Sequence, residues 1–240
     1  EHEIITSSEY SEFLILVNKE KPLSKDYIPN DLIQIENVPY IIRKGETMLI
    51  NIDAYYSYLL LYNDALENDL ELTIFSGYRS YEKQEKIWDN NPNEYYVAKP
   101  GYSEHQTGLA IDVSRKDTGL TKNFKDTKEY QYLTNNAYKY GFIIRYPEHK
   151  EHITGYLFEP WHLRYVGEDI AKVIHENNFT LEELVEMFRN FAASKLRLYY
   201  TTNMIRLFIS ALSATKLVIL QGISGTGKTS LAYAWGKFIR

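Results

Sequence analysis

The chain has 240 residues, of which 44% are hydrophobic and 25% charged, a composition typical of a globular protein that can bury a sizeable core. The formal net charge of −5 gives no sign of the basic face that nucleic-acid-binding proteins carry, so a nucleic-acid partner is not indicated. There are no cysteines, which excludes disulfides and thiolate metal ligands and leaves histidine and carboxylate side chains as the candidate ligands of any metal.

The N-terminal part of the chain predicts short strands and two helices. Alternating apolar residues and turn signals favour edge strands, and apolar side chains that recur three and four residues apart from Ile52 to Leu66 favour a helix. The predicted elements, in the order strand, strand, helix, strand, helix, cover residues 32–36, 38–43, 46–68, 71–75 and 81–89.

The middle of the chain continues this mixture of short strands and helices. Predicted strands cover residues 108–113, 142–145 and 161–166, and predicted helices cover residues 127–140, 168–176 and 181–193. Thr127 is the expected N-cap and Gly141 the expected end of the first of these helices. Thr180 and Glu183 have the spacing of a capping box at the start of the last. Because no regular strand–helix–strand repeat is present, the pattern predicts an α+β domain over residues 1–190.

Two histidines and an aspartate are candidate metal ligands. His105 lies in a predicted loop, Asp112 follows seven residues later on a strand, and His162 follows the bend at Pro160. Two histidines and one carboxylate are a common ligand set for catalytic zinc, which leaves a fourth position open for water. Glu159, three residues before His162, suits the role of the base that takes a proton from that water. Such spacings also occur in proteins without a metal, so spacing alone leaves both interpretations open.

Three motifs resemble one family. Residues 76–80, Ser-Gly-Tyr-Arg-Ser, followed by Gln84, resemble the SGYRS-x3-Q segment of VanY-type D-alanyl-D-alanine carboxypeptidases, which belong to the LAS zinc metallopeptidases. Residues 103–112 match the SxHxxGxAxD motif of that family, and residues 159–162 match its ExxH motif. The motifs stand in the family order, and the resemblance covers about residues 12–185.

The resemblance implies a fold and a reaction. The fold is a small antiparallel sheet flanked by helices, as in LAS and hedgehog-like metallopeptidases. The reaction is removal of the terminal D-alanine from peptidoglycan stem peptides, with D,D- or L,D-specificity, by an enzyme that uses Zn²⁺. His105, Asp112 and His162 are the implied zinc ligands, and Glu159 is the implied catalytic base.

The resemblance also assigns residues that would hold the substrate. Arg79 would stabilise the substrate or the negative charge that develops on the attacked carbonyl oxygen, and Gln84 and Ser103 would help to hold the terminal carboxylate. An arginine suits such tasks because its planar guanidinium donates paired hydrogen bonds. Related phage enzymes cut inside the stem, so a peptidoglycan endopeptidase is the alternative within the same fold. Either activity implies a location outside the cell or in the cell envelope.

Residues 191–240 carry a different signal. This segment predicts a helix, an apolar strand and a second helix over residues 204–212, 216–220 and 229–239. Between the strand and the second helix lies a match to the phosphate loop GxxxxGK[ST], with Gly222, Gly225, Gly227, Lys228 and Thr229. The segment resembles the start of an AAA+ ATPase of the McrB type, in which such a loop binds ATP and Mg²⁺. A nucleotide-dependent motor or switch that carries the peptidase part as a passenger is therefore a third hypothesis.

Two features limit that third hypothesis. Only eleven residues follow Thr229, so the acidic residue that completes a Mg²⁺ site on another strand is missing, and we expect an incomplete domain that does not hydrolyse ATP. ATP also implies the cytoplasm, whereas peptidoglycan lies outside the membrane, and the sequence leaves open whether the segment is a truncated fusion or part of a larger protein. The chain starts at Glu1 without a leader pattern, and no stretch approaches the ~20 apolar residues of a membrane span, so neither feature decides the compartment.

Overall fold

The computed structural model describes residues 12–202, 204–206, 208–209 and 228–239. Within these ranges the strands are β1 (Leu32–Gln34), β2 (Leu49–Asn51), β3 (Thr73–Ser76), β4 (Ala110–Ser114), β5 (Phe142–Tyr146) and β6 (Glu159–Tyr165). The α-helices are α1 (Ile52–Glu67), α2 (Tyr81–Asn90), α3 (Lys128–Asn136), α4 (Glu151–Thr154), α5 (Glu168–Asn177), α6 (Leu181–Leu196) and a final helix, Lys228–Phe238. Short 3-10 helices cover Glu12–Leu14, Glu104–Thr107, Lys122–Asp126 and Ala137–Tyr140. The predicted α+β class is confirmed.

The central sheet has four antiparallel strands in the order β3-β4-β6-β5. The two middle strands pair so that Asp112 of β4 stands opposite His162 of β6. On the other side of β4, Ser76 of β3 pairs with Asp112 after an irregularity in the register. β1 and β2 form a separate two-stranded antiparallel ribbon. The strand order therefore brings the three sequence motifs onto neighbouring strands.

The two faces of the central sheet have different neighbours, because side chains alternate along each strand. One face packs against α1 in a core that includes the fully buried Ile111, Val113 and Leu163. The neighbouring positions, Asp112 and His162, point to the opposite face. Alternation thus reserves one face for apolar packing and leaves the other for polar side chains.

Helix α1 starts at Ile52, so the predicted helix start at residue 46 was wrong. Residues 49–51 instead form β2 and pair with β1. Asn51 then caps α1, because its side-chain oxygen accepts hydrogen bonds from two backbone N–H groups of the first turn, at 3.0 and 3.2 Å. The apolar residues before this cap belong to the ribbon and not to the helix.

The predicted strand over residues 38–43 was also wrong. Tyr40 forms only an isolated parallel bridge with Ile74 of β3. Pro39 has no N–H to donate, and its carbonyl oxygen accepts a single hydrogen bond from Ile74 at 2.9 Å. The segment therefore lies beside the edge of the central sheet without becoming a fifth strand.

The other predicted strands and helices of this part of the chain are present, with ends displaced by at most three residues. The helix predicted over residues 127–140 is α3 followed by a 3-10 turn that ends at Gly141, whose φ is +78°. Thr127 caps α3 as predicted, by accepting a hydrogen bond from the backbone of Tyr130. The predicted capping box of Thr180 and Glu183 at the start of α6 is confirmed.

A second apolar core lies where α5 and α6 pack together and against Ile143 of β5. Leu231 and Trp235 of the final helix belong to the same core, and the Trp235 ring lies 5.1 Å from that of Phe188 on α6. Helix α6 runs through residue 190, where the sequence placed a domain boundary, and that division of the chain stays a prediction. None of the helices in the described ranges is both long and apolar enough to span a membrane.

Two adjacent leucines of α1 offer a matched test of this packing. Leu61 is fully buried in the core beneath the sheet, whereas Leu60 is 60% exposed. We expect Leu61→Ala to lower the free energy of unfolding by about 2–5 kcal/mol, because it removes buried methyl groups and leaves a cavity. Leu60→Ala should change it by less than ~0.5 kcal/mol. Urea denaturation of both variants in the presence of a chelator checks this; equal losses would contradict the described packing of α1.

Candidate metal centre and substrate cavity

Three side chains that could hold a metal ion meet above the middle of the central sheet. Asp112 and His162 face each other across β4 and β6, and His105 approaches from the 3-10 helix Glu104–Thr107. The Nε2 atom of His105 lies 3.2 Å from Asp112 Oδ2, and the Nδ1 atom of His162 lies 3.3 Å from Asp112 Oδ1. One ligand atom from each residue lies within 4.8 Å of the other two, and all three residues are buried.

A tight turn places His105 next to the strand. Thr107 donates a hydrogen bond from its hydroxyl to the carbonyl oxygen of Glu104 at 2.6 Å, which closes the 3-10 turn. Gly108 then reverses the chain with φ of +72°, where a Cβ atom would lie 2.7 Å from Leu32 Cδ2. The small residue three positions after His105 in the motif is therefore a requirement of the backbone and not of the chemistry.

The ring of His105 is oriented by a hydrogen bond from the ring nitrogen that does not face Asp112. Its Nδ1 atom lies 2.8 Å from the carbonyl oxygen of Gly77, an acceptor, so Nδ1 carries the hydrogen and Nε2 keeps its lone pair facing Asp112. Gly77 packs against the β1–β2 ribbon with no room for a side chain, since a Cβ atom there would clash with the carbonyl oxygen of Leu49. Burial lowers the pKa of His105, which favours the neutral, ligating form of its ring.

The donor atoms around Asp112 fit a divalent cation. A lone pair of His105 and a carboxylate oxygen of Asp112 face each other, an arrangement that requires a proton or a cation between them. Oδ1 of Asp112 is buried and forms no hydrogen bond with any described residue. Burial opposes ionisation of Asp112, but the two imidazole rings outweigh it and hold the pKa of this carboxyl well below its usual range. Two nitrogens and one oxygen are the ligand set expected for zinc with an open fourth position.

Glu159 lies at the edge of this trio. Its Oε2 atom lies 3.4 Å from Nδ1 of His162, and about a quarter of its side chain is exposed, at 26%. An irregularity in the pairing of β5 with β6, beside Tyr146, turns Glu159 toward the polar face. A carboxylate that is partly open to solvent and next to the candidate ligands is placed as a proton acceptor must be.

Arg79 supplies a positive charge in the same cavity. Its guanidinium donates hydrogen bonds to Gln84 Oε1 at 2.8 Å and to Ser76 Oγ at 2.9 Å. Burial lowers the pKa of Arg79, and the charges of Asp112 and Glu159 oppose that shift. Arg79 is thus held in place from one side and faces two carboxylates on the other.

Gln84 and Ser103, the other predicted substrate-binding residues, both line the cavity. Gln84 is buried, and both of its polar atoms have partners within the chain, since it accepts from Arg79 and donates to Ala98 O at 2.6 Å. In this structure Gln84 orients Arg79. Ser103 is buried at the cavity wall beside His105, and its predicted contact with a carboxylate stays a prediction.

These side chains share one cavity of about 240 Å³. Its wall includes the candidate ligands, Glu159 and Arg79, and its other lining residues include five tyrosines and one tryptophan, namely Tyr95, Tyr96, Tyr102, Tyr146, Tyr156 and Trp161. A cavity of this size accommodates the end of a peptide and leaves the remainder of a longer substrate outside.

Sequence reasoning missed a buried ion-pair group next to the candidate ligands. Glu104 is buried beside His105, and Oε1 of Glu104 accepts hydrogen bonds from Arg145 at 2.7 Å and from Arg164 at 2.8 Å. Burial opposes ionisation of Glu104, yet the two guanidinium groups outweigh it and hold its pKa well below the usual range. Arg145 follows three apolar residues of β5 and Arg164 lies between Leu163 and Tyr165 of β6, and a charged residue among such buried neighbours needs a partner. That signal in the sequence could have revealed the group.

The predicted phosphate loop falls largely outside the described residues. Positions 222–227, with the three glycines of the motif, belong to the part of the chain that is not described. Within the described residues the final helix covers Lys228–Phe238, which includes most of the helix predicted over residues 229–239, and Thr229 is exposed. Binding of ATP and Mg²⁺ by this segment stays a prediction from sequence.

Comparisons with known proteins place the described site in a family context. Residues 47–168 match the model of the family described as VanY: D-alanyl-D-alanine carboxypeptidase. YodJ of Bacillus subtilis (strain 168), named a putative carboxypeptidase, is 45% identical over 183 residues, which cover 72% of this chain and 67% of the relative. The chain thus spans about two thirds of the length of that relative.

Two solved structures are similar in fold and sequence. The structure of LdcB, an LD-carboxypeptidase, matches with a TM-score of 0.71 and 42% sequence identity. The match covers 77% of this chain and 90% of the LdcB chain. The structure of a mutant of the vancomycin-resistance D,D-pentapeptidase VanY from the VanB-type cassette, in complex with Zn(II), has a TM-score of 0.61 and 34% identity. This second match covers 72% of this chain and 98% of the VanY chain.

Replacing one candidate ligand tests the metal centre. We expect the purified chain to bind about one zinc ion, and His105→Ala to reduce the zinc content to near zero because two ligands cannot hold the ion tightly. His152→Ala, at an exposed histidine on α4, is the matched control and should bind zinc as the parent does. Elemental analysis after dialysis against a weak chelator measures both; full zinc content in the His105 variant would exclude this site.

Proposed function

This chain belongs to the VanY family of D-alanyl-D-alanine carboxypeptidases, and from that membership we propose that it hydrolyses the terminal D-alanine of peptidoglycan stem peptides, with D,D- or L,D-specificity. It is a zinc carboxypeptidase-like enzyme. The observation that carries the proposal is the single cavity that a metal-ligand trio, a carboxylate and the arginine Arg79 line together. A peptidoglycan substrate would be met outside the cell or in the cell envelope, and this is the location that the proposal implies.

The reaction requires an activated water and a stabilised oxyanion. His105, Asp112 and His162 would hold the zinc ion, which when bound would supply the Lewis acidity that activates water and polarises the scissile carbonyl. Glu159 takes a proton from the attacking water and later gives it to the departing amine of D-alanine. Its position 3.4 Å from His162 keeps that proton transfer beside the trio, and its partial exposure allows it to exchange protons with solvent.

Recognition of a chain end explains why an arginine lines this cavity. The product is released from the end of a peptide, so the cavity must distinguish a free carboxylate from a continuing chain. Arg79 has the planar donors for this task, and Gln84 and Ser76 hold its guanidinium in one orientation. Because binding to the carboxylate does not require the rest of the stem, a cavity of about 240 Å³ is sufficient for the leaving residue.

An endopeptidase of the same fold is the alternative reaction, and neither reaction requires the phosphate-loop residues. The two differ in the bond that breaks: a carboxypeptidase releases a single alanine, whereas an endopeptidase divides the stem or its cross-link. The position of the Arg79 guanidinium beside the ligand trio supports the carboxypeptidase, since this cation pairs with a free terminal carboxylate, which a continuing chain does not present at the scissile bond.

One experiment tests both the product of the proposed reaction and the role of Glu159 as its general base. We expect the zinc-loaded chain to shorten a defined stem peptide by one alanine, seen by mass spectrometry, and Glu159→Gln to lower kcat by about 10²–10⁴-fold because the general base is lost. Zinc content should stay unchanged in this variant, since the amide does not displace a ligand. Glu151→Gln, on α4, is the control and should retain kcat.

Two outcomes would overturn parts of this proposal. Retained turnover in the Glu159 variant would remove Glu159 from the base role. Fragments from inside the stem, without loss of a single alanine, would assign the chain to the endopeptidases.

Arg79 provides a second prediction. Arg79→Lys keeps the charge but removes the planar pair of donors, so we expect kcat/KM for a peptide with a free terminal carboxylate to fall by about 10–100-fold, the equivalent of one charge-assisted hydrogen bond. The loss should be small for the same peptide with a terminal amide. Arg115→Lys, at a partly exposed arginine paired with Asp117, is the control. Equal losses on both peptides would assign Arg79 to the carbonyl oxygen instead.

A further inference from the structure

We propose that Glu104 is a positioning residue for the zinc ligand His162, and that Glu182, on helix α6, supports Glu104 through Arg145. The inference rests on the proposed zinc-dependent function, and it concerns residues to which the family motifs give no role. Glu182 also lies beyond residues 47–168, the part that matches the family model.

The first step is the free oxygen of Glu104. Its Oε1 atom accepts hydrogen bonds from both Arg145 and Arg164, which leaves Oε2 for another partner. Oε2 forms no hydrogen bond with any described residue and lies 3.7 Å from Nε2 of His162. Nε2 of His162 is likewise buried and without a hydrogen bond in the described part of the chain.

The second step is the tautomer of His162. Its Nδ1 atom faces Asp112 and Glu159, so Nδ1 is the nitrogen that would bind zinc. A neutral imidazole that ligates through Nδ1 carries its hydrogen on Nε2, and a buried N–H needs an acceptor. Oε2 of Glu104 is the carboxylate oxygen that faces it. The arrangement mirrors His105, whose ring is oriented by the carbonyl oxygen of Gly77.

The third step is the anchoring of Glu104. Arg145 and Arg164 are fully buried, and each holds Glu104 while also holding a second segment of the chain. Arg164 donates hydrogen bonds to the carbonyl oxygens of Phe13 and Ile15 at 3.1 and 2.9 Å. The position of Oε2 is thereby fixed by the sheet and by the N-terminal segment.

The fourth step links the group to helix α6. Arg145 binds Glu182 with two hydrogen bonds, from Nη1 at 2.9 Å and from Nη2 at 2.6 Å. Glu182 lies in the first turn of α6, which the capping box fixes and which Lys150 also holds through Glu183 at 3.0 Å. The planar guanidinium of Arg145 therefore spans two carboxylates, one beside the ligand trio and one on the helix.

The charge balance distinguishes this role from simple ion pairing. Glu104 alone would leave two buried guanidinium groups with one carboxylate, and Glu182 supplies the second negative charge. With Glu182 removed, Arg145 would interact more strongly with Glu104. The Oε2 atom of Glu104 would then be a poorer hydrogen-bond acceptor for His162. Loss of Glu182 should therefore affect zinc affinity although its side chain does not touch a ligand.

The test compares three carboxylate-to-amide variants of the full chain. We expect Glu104→Gln to weaken zinc binding by about 10–100-fold and Glu182→Gln by about 2–30-fold. Glu183→Gln is the matched control, because glutamine also serves in a capping box and Glu183 does not contact Arg145; its zinc affinity should be that of the parent. Affinity is measured by competition with a chromophoric chelator, and the thermal unfolding midpoint of each metal-free protein is measured alongside.

A spectroscopic readout separates positioning from stability. In the zinc-loaded parent, ¹⁵N-resolved NMR should show a protected Nε2–H proton of His162, and in Glu104→Gln this resonance should shift or exchange rapidly. Parental zinc affinity in Glu104→Gln overturns the role of Glu104. If that variant does not fold, Glu182→Gln decides: weaker zinc binding with an unchanged metal-free midpoint supports the relay, and parental affinity overturns it.

Zinc binding without D-alanine release, in contrast, would count against the proposed function and leave the positioning role intact.

Discussion

The antiparallel pairing of β4 with β6 is the constraint on which the site depends. It sets Asp112 directly opposite His162 at the middle of a four-stranded sheet, where the backbone has no freedom to separate them. Since side chains alternate, a shift of one residue in this register would turn either Asp112 or His162 into the α1 core and bring Ile111 or Leu163 to the polar face. The apolar core beneath the sheet and the metal centre above it are therefore fixed by the same hydrogen bonds.

The charged groups above the sheet divide into two sets with different tasks. Glu104 pairs with both Arg145 and Arg164, and Glu182 supplies a second carboxylate to Arg145, so these arginines act as parts of the framework. Arg79 is oriented by the uncharged Gln84 and Ser76, which leaves its positive charge uncompensated by direct contact and available to an anionic ligand. The structure thus separates cations that hold the fold from the cation that faces the cavity, although all three are arginines within a small region.

The sequence predicted the local elements and the candidate site better than the connections between them. The period-2 and period-3.6 patterns located the central strands and helices, and the caps at Thr127 and Thr180 marked helix starts. The start of α1 was misplaced because residues 49–51 are as apolar as a helix turn, and only their pairing with β1 shows that they are a strand. Likewise, the partners of Glu104 lie 41 and 60 residues away along the chain, and no local pattern reports such contacts. The ligand trio could be predicted from the sequence, because the motifs contain all three residues. The register of β4 with β6 then sets Asp112 opposite His162.

The buried group of Glu104, Arg145 and Arg164 has a consequence for how such sequences can change. Replacing any one member leaves an uncompensated charge in the interior, typically at a cost of about 3–5 kcal/mol, whereas replacing the group together by well-packed apolar side chains is often close to neutral. Substitutions at these three positions are therefore expected to be strongly epistatic. A change at one position should be tolerated only when the other two positions change as well. Single substitutions in this group should therefore be rare among related sequences. Relatives that lack the group should differ at several of its positions together.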